Sequence, residues 1–207
     1  MKNISLVLVL TLSGLAQAAD YRYNELIIKD YDEMQEMVQV FIDQARAAGG
    51  EDGTGNEDEA ISQLREALKL IYSRPNSDNM VAKLVPEARR VLVGYNAYES
   101  TVRAIAEEAV GRLKQKDGPV TVQSTSLFIL DNILADIRPE CDNNAQLRQI
   151  LEVVRDAKIR VPKEVVNERK VRGMFNTKNP SDLAGEILKD IEKRHKDHEK
   201  ETKKKRK

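Results

Sequence analysis

The sequence predicts an all-α protein: a multi-helix bundle or a stack of helical hairpins, with about seven or eight helices. Three observations carry this. Apolar residues recur three and four positions apart along nearly the whole chain, which is the helical period. The breaks between periodic stretches are short and carry Gly, Pro, Asn and Ser. Aromatics make up only 4% and Trp is absent, so the core must be built from Leu, Ile, Val, Met and Ala. Helix-on-helix packing is the way to bury so many apolar stripes.

The chain opens on an export signal. Lys2 supplies a positive start, Ile4 to Leu15 is largely apolar, and Ala16-Gln17-Ala18 places small residues around a cleavage point after Ala18. The run is shorter than the ~20 apolar residues that cross a bilayer, and Asp20 follows it instead of a basic cluster. The expected division is therefore a signal peptide at 1–18, a helical domain at 19–192 and a basic charged tail at 193–207. The expected address is periplasmic or secreted, with a bacterial-type leader.

The first mature helix is expected at 24–47, striped by Ile27, Tyr31, Met34, Val38, Phe41 and Ala45 and stopped by Gly49-Gly50. A second is expected at 58–73, with an acidic first turn and the stripe Ile61, Leu64, Leu68, Ile71. Pro75 and Asn76 break it. A short helix through Met80, Leu84 and Val85 follows. Pro86 then suits the first turn of a new helix, expected to run to about residue 116 through Ala88, Leu92, Tyr95, Val102, Ile105, Ala109 and Leu113. Gly94 inside it predicts a kink or a close helix crossing.

Asp117-Gly118-Pro119 is a turn. A helix at 122–137 carries Leu127, Leu130, Leu134 and Ile137, and Val120-Thr121-Val122 could be extended instead. Pro139 closes it. A helix at 144–158 carries Leu147, Leu151 and Val154, and another at 163–174 carries Val165, Val166 and Val171. The last helix is expected to start with Ser181 as N-cap and to bury Leu183, Ile187, Leu188 and Ile191. Beyond Ile191 apolar residues stop. Opposite charges four apart (Asp190/Arg194, Glu192/Lys196, Glu199/Lys203, Glu201/Lys205) favour a few solvent-held turns, fraying before Lys203.

Net charge is zero, with 34 basic and 34 acidic residues, yet it is unevenly spread. Residues 19–100 carry 16 acidic and 9 basic side chains, and residues 158–207 carry 9 acidic and 17 basic. Such polarity predicts either a basic contact tail or oppositely charged ends that meet.

Catalytic chemistry finds little support. The single cysteine, Cys141, lies in a loop and is expected to be a free thiol or an intermolecular link. Both histidines, His195 and His198, lie in the tail, so a Ser-His-Asp or Cys-His centre has no base in the body. Two histidines also fall short of the three or four ligands of a zinc site. The loop Asp52 to Asp58 begins like a calcium loop, but Glu57 stands where Gly is needed and Gln63 where a bidentate Glu is needed. No cofactor or metal is expected.

Two family resemblances are partial. Ala60, Leu64, Ala67, Leu68 and Leu70 followed by Pro75 resemble the second helix of a tetratricopeptide repeat. The proline is three residues late and there is no second copy. Glu99-Ser100 after Tyr95-Asn96 resembles the catalytic Glu-Ser of helical lytic transglycosylases, without their downstream Gly-Leu-Met-Gln signature.

The expected function is thus a non-enzymatic, exported binding protein of the cell envelope. Lys203, Lys204, Lys205, Arg206 and Lys207 are the residues expected to contact an anionic partner. That partner is an envelope protein or an anionic polymer, with peripheral membrane contact and self-association as further outcomes. Nucleic acid is not expected, because no aromatic residue interleaves the basic run. The alternatives are a carboxylate-dependent peptidoglycan hydrolase using Glu99 and a self-assembling structural protein.

Overall fold

A computed structural model of the chain describes residues 31–49, 55–74, 79–115, 118–171 and 178–205. The expected signal peptide, Ile27, Pro75 and Asn76, the acidic loop 50–54 and residues 172–174 lie outside them. Among the described residues the protein is all-helical and forms a helical bundle. Its eight helices are α1 (Tyr31–Gly49), α2 (Glu57–Tyr72), α3 (Asn79–Gly94), α4 (Tyr98–Lys114), α5 (Val120–Ile137), α6 (Ala145–Asp156), α7 (Lys163–Val171) and α8 (Pro180–Lys205).

α5 is the central helix, packing on α2, α4, α6, α7 and α8. Burial almost all round explains its apolar composition, since a helix surrounded by others has no face to give to water. Leu127, Phe128, Leu130, Ile133 and Leu134 are fully shielded. Each such side chain contributes about 1.5–3 kcal/mol by leaving water. Val120-Thr121-Val122 is helical, because packing on neighbours outweighs the mild bias of β-branched residues against helix.

α1 and α2 pair closely. Their connection is tight: the Asn56 amide donates to the Ala48 carbonyl at 2.8 Å. Gly55 makes that approach possible, since a Cβ there would stand 2.0 Å from the same oxygen. α6 packs on α4 and α8. Leu147, Ile150, Leu151 and Val154 are the buried stripe of α6. The Asn144 side chain caps it by accepting from the amides of Gln146 and Leu147 at 3.0 and 3.1 Å.

Three boundaries differ from the sequence expectation. Pro86 does not start a helix but lies inside α3. It sits on the exposed face, where water can take the carbonyl that its missing N–H leaves free. The long helix expected after Pro86 is instead two helices, α3 and α4, divided at residues 95–97. Asn96 adopts φ 52°, the left-handed region, and the Ala97 amide reaches back to the Leu92 carbonyl at 2.9 Å. Gly94 marks this break and not a helix crossing, for nothing lies within 4 Å of where its Cβ would be.

Ser181 is not the cap of α8. Asn179 takes that role, accepting from the Ser181 amide at 2.9 Å. The buried Ser181 hydroxyl donates to the Val154 carbonyl at 2.8 Å and accepts from the Ile159 amide at 3.0 Å. It thereby fastens the start of α8 to the end of α6.

Candidate functional site

The basic segment at the C-terminal end of α8 is the candidate site. The first part of α8 is held by the bundle: Ala184, Ile187, Leu188 and Ile191 are buried. After Ile191 the exposure changes at once. Every described side chain from Glu192 to Lys203 is exposed except Thr202, which is half-buried. The backbone is helical to Lys205, two residues past the point where the sequence predicts fraying. Charged side chains on the helix surface support it. Glu192 meets Lys196 at 4.0 Å and Asp197 meets Lys200 at 3.2 Å, each pair contributing a few tenths of a kcal/mol. The Thr202 hydroxyl donates to the His198 carbonyl at 2.8 Å.

The helix is anchored where it leaves the bundle. Arg194 donates to Asp142 at 2.9 Å, and Arg138 and Asp190 lie 3.9 Å apart. Among the described residues, the Arg194 contact is the last hydrogen bond or ion pair from α8 to the body. Of the expected anion-binding residues, Lys203 is exposed on this helix. Lys204 and Lys205 fall within its helical range, and Arg206 and Lys207 lie outside the described residues.

Other candidates have structural employment. Glu99 accepts from Asn144 Nδ2 at 2.9 Å, which joins α4 to the cap of α6. Asn56, from the supposed calcium loop, caps α2 by accepting from the Glu59 amide at 3.2 Å. His195 and His198 are exposed on α8. Among the described residues no group of three or more His, Cys, Asp or Glu is arranged to hold a metal ion.

Cys141 is a free, fully buried thiol. The turn that carries it folds back onto the end of α5, where the thiol donates to the Ile137 carbonyl at 3.1 Å. Burial, with smaller contributions from Asp142 and Glu140, pushes the thiol up to about 11.

Sequence reasoning missed a polar cluster that joins α2 and α4 to the C-terminal end of α5. The hydroxyls of Tyr72 (α2) and Tyr98 (α4) both donate to Oδ2 of Asp136 (α5), at 2.6 and 2.7 Å. Burial is the main reason both phenols are held well above their ordinary pKa, and the neighbouring Asp136 carboxylate adds to it. The Arg89 guanidinium lies 4.5 Å from the centre of the Tyr98 ring and pairs with Glu140. Asn132, one turn before Asp136, donates to the carbonyls of Tyr72 and Arg74, both at 2.7 Å. Four buried side-chain oxygens, on Thr101, Ser124, Thr125 and Asn132, have no hydrogen-bond partner among the described residues. The sequence hint of the cluster was Asn132 and Asp136 standing four apart among the apolar residues Ile129, Leu130, Ile133, Leu134 and Ile137.

No described helix is long and apolar enough to cross a membrane. No protein-family model, curated protein or solved structure matches the chain.

Proposed function

We propose that this chain is an exported, non-enzymatic binding protein of the cell envelope, and that the basic end of α8 contacts an anionic partner there. The observation that carries the reading is the exposed helix beyond Arg194. It holds its cations clear of the bundle, anchored by Arg194 and Asp142. The charge pattern supports the sign of the partner: residues 193–207 carry 9 basic and 3 acidic side chains. The leader at 1–18 supports the envelope as the place.

Each Lys near an anionic surface contributes about 1 kcal/mol and is screened by salt, so the contact is reversible. Removing residues 195–207 tests it, because Arg194 keeps its partner and the bundle is untouched. The expected outcome is loss of salt-sensitive retention on isolated envelope fractions. Retention equal to that of the parent protein would overturn the proposal.

A further inference from the structure

The lysines of α8 stand in a row. Lys189, Lys193, Lys196, Lys200 and Lys203 follow one another at intervals of 4, 3, 4 and 3 residues, and all five are exposed. On a helix with 3.6 residues per turn these positions fall within an arc of roughly 80° and span about 21 Å. The row faces away from the buried side of the same helix, which carries Ala184, Ile187, Leu188 and Ile191. Glu192 and Glu199 line one flank, and Asp190, Asp197 and Glu201 line the other.

That arrangement discriminates between shapes of anion. A flat anionic bilayer would meet the row and both flanks together, and the flanking carboxylates would be pushed against like charge. The segment from Lys193 to Lys203 also has no apolar or aromatic residue to insert. A single file of anions meets one ammonium every ~5 Å and stays clear of the flanks. Lysine suits such a chain, because its compact ammonium is a point charge that imposes no planar geometry on a phosphate.

Resting on the anionic-partner reading above, we infer that the lysine row of α8 takes a linear phosphate-bearing polymer in single file. The phosphates of a bilayer surface are the competing source.

The test uses the full mature chain, long-chain inorganic polyphosphate and, separately, vesicles containing an anionic phospholipid, each across a salt series. One variant exchanges neighbours, K196D with D197K and E199K with K200E. Net charge is unchanged, but two positions of the row become acidic. Polyphosphate affinity is expected to fall at least about tenfold, while vesicle binding changes less than about twofold. For the parent, log affinity against log salt is expected to slope by about −3.5 or more steeply, from five phosphates at ~0.7 each. Equal polyphosphate binding by the exchange variant would overturn the row, as would a parental slope shallower than about −1.5. So would parental preference for vesicles at matched anion concentration. If removal of 195–207 still releases the protein from envelope fractions, those results leave the anionic-partner reading standing.

Discussion

Tyr72 and Tyr98, from different helices, give their hydroxyls to the same oxygen of Asp136. Neither tyrosine is more than 1% exposed. Both hydroxyls therefore depend on that carboxylate for the hydrogen bonds they lose on leaving water. The arrangement joins α2, α4 and α5 at one point.

Replacing Asp136 by Ala removes the carboxylate that accepts from both buried phenols. The expected cost is about 2–4 kcal/mol, with Tyr98→Phe alone costing about 1–2 kcal/mol. Urea unfolding followed by circular dichroism measures both. A loss below about 0.5 kcal/mol for Asp136→Ala would show that water satisfies the phenols.

The same cluster sets an alkaline limit. Both phenols are raised in the folded state, so the unfolded chain loses these protons first as pH climbs. Their contribution is complete below about pH 10, the unfolded value, and declines above it by up to about 1.4 kcal/mol per pH unit for each tyrosine. Unfolding series from pH 8 to 11 should show the decline in the parent. The decline should be shallower in the Tyr72→Phe/Tyr98→Phe double variant, and equal slopes would exclude this origin.

Among the described residues two that are not glycine hold left-handed backbone: Asn96 at φ 52° and Lys158 at φ 49°. Asn tolerates this region and Lys does not gain from it. Lys158→Gly is expected to raise stability by up to about 1 kcal/mol, and Asn96→Ala to lower it by about 1 kcal/mol. Thermal melts of the two variants should move in opposite directions. A lower midpoint for Lys158→Gly would mean that its side chain contributes more than the strain costs.

Cys141 should be silent in the folded protein. Its burial and its raised pKa both suppress the thiolate that reacts. A thiol reagent at pH 8 is expected to leave it largely unmodified until denaturant is added. Rapid native labelling, or a reducible dimer band on a gel, would contradict the burial.

Most of the helices were legible because their stripes are amphipathic. Leu64, Leu68 and Ile71 in α2, and Leu147, Leu151 and Val154 in α6, were expected on one face and are buried there. What local rules could not supply was context. Pro86 resembles a helix start, and only the exposed face it occupies lets α3 continue through it. Of the charge pairs expected along the α8 extension, Glu192 and Lys196 meet, whereas Asp190 and Arg194 turn to Arg138 and Asp142 of the body, partners that local spacing does not announce. The Tyr–Asp–Tyr junction was hidden for another reason. Tyr72 and Tyr98 lie 64 and 38 residues from Asp136, and nothing in either neighbourhood announces the meeting.

The helical continuation of α8 past Arg194 has an electrical consequence. From Arg194 to Lys205 the axis advances about 16 Å, while charges at physiological ionic strength are screened over about 8 Å. The tip of the helix is thus insulated from the carboxylates of its own bundle. A coiled segment of equal composition could curl back and neutralise itself; a helical one holds its charge away from the bundle.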